Sequence, residues 1–179
     1  CMVVAGILGW VNSITKDKIA AITWEKTVAA MQQVITADDF SDAMELTDDM
    51  TAAAAAQGGT LDAVYEAQSG GQVVGYAINV EASGSQGIIS MMVGIDTDGA
   101  VTGVSIVTNA ETSGIGSKVM GNEPLTNGTG VLDQFIGKSA ADGTLSVGSN
   151  VDAITGATVS TKGVTTGVNA ALAVAGVIG

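Results

Sequence analysis

The sequence contains no histidine, one cysteine, one proline, and only two residues each of Trp, Tyr and Phe among its 179 positions. Without histidine there is no Ser–His–Asp triad, no His-ligated zinc or haem, and no imidazole general base. A single cysteine excludes an intrachain disulfide and an all-cysteine iron–sulfur or zinc site. Basic residues are also few: six Lys and Arg stand against 18 Asp and Glu, for a net charge of −12. A chain this acidic repels phosphate backbones, which argues against nucleic acid as a partner. What is there is aliphatic. Hydrophobic residues make up 46% of the chain and aromatics 3%, so the core must be Val, Ile, Leu, Met and Ala. The length suffices for one domain with a real core, and the composition is not that of a disordered acidic tail. Chemistry from such an inventory points to a borrowed cofactor.

Residues 1–11, Cys1 to Val11, carry no charge, and Trp10 stands where the run turns polar. Eleven helical residues span roughly 16 Å against a hydrocarbon core of about 30 Å. The run reads as the end of a membrane-spanning helix covering residues 1–12, with Trp10 at the interface. A signal-peptide remnant, a buried core helix and a lipidated Cys1 are the competing readings. Lys16 and Lys18 follow the run and argue for a cytoplasmic flank, but Asp17 interleaves them.

Residues 13–57 read as a leading helix followed by an acidic helical and loop segment. Ile19, Ile22, Lys26, Ala29, Ala30 and Val34 recur at three- and four-residue steps up to about Ile35. From Ala37 to Ala56 the chain carries Asp38, Asp39, Asp42, Glu45, Asp48 and Asp49, read as a solvated face rather than a cation site. Residues 58–179 form the remaining domain. Leu61–Ala67, Val73–Val80, Ile88–Ile95 and Val101–Thr108 are strand-like, with turns at Gly70-Gly71 and Asp98-Gly99, the latter expected as type I′. A helical pattern runs from about Thr161 to Ala175, with Ser160 or Thr161 as its N-cap. The fold class is therefore α+β, an antiparallel sheet packed with helices.

Two segments carry candidate chemistry. In Asp152-Ala-Ile-Thr-Gly-Ala-Thr158-Val-Ser-Thr161, four hydroxyl residues crowd a helix start, where free N–H groups and the dipole favour a phosphate. A plain threonine-rich turn and cap is the alternative. Glu111-Thr-Ser-Gly-Ile-Gly116 follows the fourth strand, where it could cover a ring system or be an ordinary glycine-rich loop. It is not a dinucleotide fingerprint, since the third glycine and the βαβ unit are missing.

Together these segments resemble the covalently flavinylated FMN-binding domains. Asp152 to Thr158 is similar to that family's Asp-x-x-(Ser/Thr)-Gly-Ala-(Thr/Ser) motif, and Glu111 to Gly116 to its Glu-Thr-Pro-Gly-Leu-Gly loop, with Ser113 for Pro and Ile115 for Leu. Asp133-Gln-Phe-Ile-Gly-Lys138 resembles its Asp-Gln-Phe-x-Gly-Lys segment, and the stretch from Gly9 to Lys16 the end of its membrane anchor. The resemblance implies FMN joined by a phosphodiester to Thr158, with Asp152 recognised by a flavin transferase. It places Thr155, Gly156, Ala157, Val159 and Ser160 around the phosphate. Glu111, Thr112, Gly114, Ile115 and Gly116 fall beside the isoalloxazine ring, with Lys138 paired to the flavin. No catalytic residue and no metal ligand are implied.

Within the family the short chain is similar to the single-anchor flavin subunits of ion-translocating Rnf-type complexes, and next to those of sodium-pumping NADH:quinone reductases. The implied role is an electron relay in a ferredoxin:NAD⁺ oxidoreductase, on the extracytoplasmic side of a single-pass membrane anchor. Its implied partners are other membrane redox subunits, the flavin transferase and lipid. A stand-alone surface flavoprotein reductase and a non-enzymatic surface domain are the other readings.

Overall fold

The structure is a computed structural model that describes residues 25–111 and 116–178. The expected membrane anchor lies outside the described residues. The order of elements is α1 (25–34), β1 (Asp39–Phe40), α2 (Asp48–Ala56), β2 (Thr60–Ser69), β3 (Gln72–Ser83), β4 (Ile88–Asp96), β5 (Val101–Asn109), α3 (Gly116–Met120) and α4 (Thr158–Ile178). Single 3₁₀ turns occur at Asp133–Phe135 and Ala140–Asp142. The five strands form one antiparallel sheet in the order β1-β2-β3-β4-β5. This is the α+β meander expected, extended by the short β1.

Strand periodicity sorts side chains to two faces. On one face Ile78, Val80, Ile89, Met91, Val93 and Ile95 pack with α2 and α4. On the other, Ala77, Met92 and Tyr65 pack under Ala30, Met31, Val34 and Ile35 of α1 and the residue that follows it. Strand β4 is accordingly covered on both sides, with residues Ile89 to Ile95 all buried and Ser90 the one polar side chain among them. The segment 25–57 is thus built into the same core as the sheet: α1 covers one face, β1 pairs with β2, and α2 packs beside α4.

The end of α1 sits directly on the sheet because two glycines face each other beneath it. Gly94 pairs with Gly103 across β4 and β5. A Cβ at Gly103 would lie 2.8 Å from Val34 Cα and 2.9 Å from its carbonyl oxygen. Thr102 Oγ1 donates to that same carbonyl at 2.5 Å.

Two local expectations change. The β4–β5 connection is not type I′, which needs positive φ at both central residues. Here Asp96 O accepts from Gly99 N–H (3.1 Å), and Gly99 takes the left-handed conformation (φ +80°). Neither Thr97 nor Asp98 has positive φ. The Asp96 carboxylate accepts from the Asp98 and Ala100 N–H groups at 3.0 and 2.9 Å, which favours the wider turn. The last helix starts at Thr158, three residues earlier than the pattern predicts. Its first backbone bond is Thr161 N–H to Ala157 O (2.9 Å), so Ser160 and Thr161 lie in the first turn rather than at the cap.

By length and composition α4 could cross a membrane, yet Val164, Val168, Ala171, Leu172 and Val174 are buried against the domain's own core. Between α3 and α4 the chain has almost no regular structure, and side-chain amides satisfy its backbone. Asn169 on α4 bonds both the N–H and the C=O of Leu145 at 2.9 Å. Asn150 accepts from Ser146 N–H (2.8 Å), and Asn122 from Leu132 N–H (2.7 Å). Buried peptide groups require such partners where no ladder supplies them.

Candidate functional site

The start of α4 is shaped by the turn before it. Gly156 adopts φ +85°, a conformation that costs glycine little. Ala157 N–H then donates to Ile154 O (2.9 Å), and the buried Ala157 anchors the turn in the core. This leaves Thr155, Gly156, Thr158 and Val159 exposed, Val159 by 56%.

The four hydroxyls are not equivalent. Ser160 and Thr161 are 2% and 0% exposed. Ser160 Oγ donates to Glu111 Oε2 (2.6 Å), and Thr161 Oγ1 donates to Ala157 O (3.0 Å). Thr158 is exposed, and its hydroxyl has no hydrogen-bond partner among the described residues. Thr155 is exposed in the preceding turn. The N–H groups of Thr158, Val159 and Ser160 precede the first intrahelical bond, so they and the helix dipole face outward there. Lys162 stands one turn further on, exposed; side chains on a helix lean towards its N-terminus, here towards Thr158. These groups fit the phosphate end of an FMN.

The second segment meets the first through Glu111. Its Oε1 accepts from the N–H groups of Ser85 and Gln86 in the β3–β4 turn, at 2.6 and 3.1 Å. Desolvation pulls the carboxyl's pKa up. The hydrogen bonds from Ser160, Gln86 and Ser85 outweigh that effect, and the group sits below the ordinary glutamate range. Gly116, at the start of α3, is buried against the Glu111 side chain. Thr112, Gly114 and Ile115, expected beside a ring, lie outside the described residues.

Asp152 is exposed, and its peptide is clasped by Gln134: Asp152 N–H donates to Gln134 Oε1 (2.8 Å), and Gln134 Nε2 donates to Asp152 O (2.9 Å). Sequence reasoning gives Gln134 no role, although it lies inside the Asp-Gln-Phe segment already singled out.

Lys138 is not brought to this group. Its carbonyl accepts from Val101 N–H (2.8 Å) at the start of β5, whereas Glu111 follows the strand's end. Nine residues of strand separate the two ends by roughly 25 Å, beyond the reach of a lysine side chain. A cleft of about 520 Å³ between α1 and β5, lined by Lys26, Gln33, Ser105 and Thr108 among others, contains none of the site residues.

The FMN-binding domain model matches residues 84–173, from the turn that binds Glu111 to the middle of α4. The chain belongs to the FMN-binding domain family. Its site residues from Glu111 to Ser160 all fall within the matched span. The FMN-binding domain is similar to the G component of the Na⁺-translocating ferredoxin:NAD⁺ oxidoreductase complex of Acetobacterium woodii, 41% identical over 119 residues, covering 62% of this chain and 54% of that protein. It is also similar to the G components of ion-translocating oxidoreductase complexes. That of Methanosarcina acetivorans is 29% identical over 176 residues (95% of this chain, 86% of that one). That of Aliivibrio fischeri ES114 is 30% identical over 171 residues (89% and 78%). The match to the Acetobacterium protein spans about half of its length. These relatives are subunits of oxidoreductase complexes.

Proposed function

We propose that this FMN-binding domain carries FMN as a phosphodiester on Thr158 and relays electrons as one component of a membrane-bound, Rnf-type ion-translocating ferredoxin:NAD⁺ oxidoreductase. The observation that carries the attachment is the Thr158 hydroxyl: exposed, on the first turn of a 21-residue helix, beside outward-facing N–H groups. In the attachment step Thr158 Oγ1 bonds to the FMN phosphorus of a flavin dinucleotide. The pyrophosphate bridge breaks, a nucleoside monophosphate leaves, and the hydroxyl proton is lost to the flavin transferase. Thr158, Val159 and Ser160 N–H groups hold the phosphate, with Thr155, Gly156 and Ala157 forming its near wall and Lys162 balancing charge. The loop after Glu111, including Thr112, Gly114, Ile115 and Gly116, covers the ring. Asp152, presented by Gln134, serves transferase recognition.

The bound flavin supplies one- or two-electron transfer, which needs no histidine. A lone flavin needs a redox neighbour on each side, so other membrane subunits are the partners, and the names of the relatives support that assembly. A membrane anchor before residue 13, with the flavin domain at residues 58–179 on the extracytoplasmic side, completes the reading.

Peptide mass spectrometry of protein co-expressed with a flavin transferase tests the attachment. The FMN adduct is expected on the peptide holding Thr158 and absent in Thr158→Ala; an unmodified parent peptide overturns it. Purification around a tagged copy tests the role. Recovery of membrane redox subunits whose ferredoxin:NAD⁺ activity is lost in Thr158→Ala is the expected result. A domain recovered alone, with that activity unchanged, points instead to a stand-alone reductase.

A further inference from the structure

We propose that Glu111 is a positioning residue rather than a flavin ligand: by holding Ser160 it fixes the first turn of α4 and leaves Thr158 as that turn's one free hydroxyl. The inference rests on the attachment reading above. Both Glu111 oxygens are already used, and by different elements. Oε1 takes two N–H groups from the β3–β4 turn, and Oε2 takes the hydroxyl of Ser160, 49 residues later in the chain. The clasp therefore ties the sheet end to the helix start at the position where the tether must be presented.

The surroundings are cut to this side chain. A Cβ on Gly84 would meet Glu111 Oε1, and a Cβ on Gly116 would lie 2.8 Å from Glu111 Cβ. Both neighbours must lack a side chain for the carboxylate to lie as it does. Chemistry argues the same way. A carboxylate whose oxygens already accept from three donors is held ionised and committed to those donors, so it serves the clasp rather than a ligand. The clasp also removes a competitor. With Ser160 bound to Glu111 and Thr161 bound to Ala157, the first turn offers the transferase one nucleophile. No proton passes to or from Glu111 in the attachment step; its part is geometric.

The test uses the full chain co-expressed with a flavin transferase, as parent, Glu111→Ala, Glu111→Gln, Ser160→Ala and the double variant Glu111→Ala/Ser160→Ala. Intact and peptide mass spectrometry follows adduct formation. Amide hydrogen exchange on the flavin-free chain follows the clasp without any loaded cofactor. Glu111→Ala and Ser160→Ala should each slow loading about tenfold, as a small misplacement of a reacting group does. The double variant should be no slower than either single one, because both break the same bond. Glu111→Gln keeps an acceptor for Ser85 and Gln86 and should recover most of the rate. Exchange should quicken at residues 85, 86 and 158–161 while the rest of α4 stays protected. Parent-like loading and exchange in both Glu111→Ala and Ser160→Ala overturn the proposal while leaving attachment intact. A parent that loads elsewhere or not at all overturns the attachment reading instead. If Glu111→Ala does not fold, Ser160→Ala, which deletes a single oxygen, decides alone.

Discussion

Replacing Gly103 with alanine tests whether the seat of α1 is built from backbone contact. The added methyl would lie 2.8 Å from Val34 Cα, 2.9 Å from its oxygen and 3.2 Å from its carbonyl carbon. All three are main-chain atoms, so no side chain can swing away. Two responses compete. If α1 undocks, Met31 and Val34, now 0% and 1% exposed, return to water at about 1.5–3 kcal/mol each, and Ala30 and Ile35 add to that. If α1 stays, the overpacked contact costs about 1–3 kcal/mol. The loosened Thr102–Val34 bond costs roughly 1 kcal/mol more. Staying is cheaper. The expected outcome is a loss of about 2–4 kcal/mol in urea unfolding with an unchanged m-value and α1 still protected from exchange. At this chain length the melting temperature should fall by about 4–16 °C. Gly176→Ala is the matched control. That position lies in α4 with nothing within 4 Å of the added atom, so alanine should gain about 0.5–1 kcal/mol there. A Gly103→Ala protein as stable as the parent would refute the contact argument, and one with α1 fully exchanging would refute the choice between the two responses.

Asn169→Ala strips both partners from the buried Leu145 peptide and should destabilise by about 2–4 kcal/mol, read by urea unfolding; a change under about half a kilocalorie would mean that the segment 144–151 is not held by α4. Thr158→Ala should leave the flavin-free melting temperature within about 2 °C of the parent, since the exposed hydroxyl has no partner among the described residues, while Thr158→Ser keeps a usable nucleophile. Glu111 has a depressed pKa in the fold, so its stabilisation is fully present above the unfolded-state value and is lost as pH falls through the folded one. Exchange at Ser85 and Gln86 should therefore accelerate below the ordinary glutamate range in the parent, and much less in Glu111→Gln. Asp38 shifts the same way, through Ser69 and Gly70, and acts on the separate β2–β3 turn, so residue-resolved exchange separates the two.

The sheet is legible in the sequence because alternation in β2, β3 and β5 and the turn glycines are local signals. Strand β4 reads as one more member of the meander, but its burial on both faces depends on α1 returning over the far side, which no local window reports. The turn at Asp98-Gly99 misleads because the deciding group, the Asp96 carboxylate, lies before the dipeptide and takes the N–H groups of Asp98 and Ala100. The start of α4 reads late for a related reason. Ser160 and Thr161 have the composition of caps, but their hydroxyls are taken elsewhere: that of Ser160 by Glu111, 49 residues away, and that of Thr161 by the Ala157 carbonyl one turn back. Lys138 groups with the site only through the resemblance of its Asp-Gln-Phe-Ile-Gly-Lys segment to the family's motif. Gln134, four residues earlier, makes the connection to Asp152, and the chain then turns back to the start of β5.

This arrangement bears on how a tethered carrier could move. Thr158 is not on a loop: it opens the domain's core helix. The turn before it is held by Ala157 in the core and Gln134 on Asp152, and the helix start is held by Glu111 on Ser160. Groups positioned on rigid elements keep their geometry better than groups on loops. A flavin on Thr158 therefore has its attachment atom fixed relative to the sheet, and any reach towards a donor or acceptor must come from rotation within the phosphodiester and ribityl chain or from displacement of the whole domain. The seating of Val34 on Gly94 and Gly103 limits the second route, because it couples the sheet to α1 by backbone contact rather than by a flexible joint. A variant that loosens the Gly103 seat should therefore broaden the range of flavin positions without altering the attachment itself.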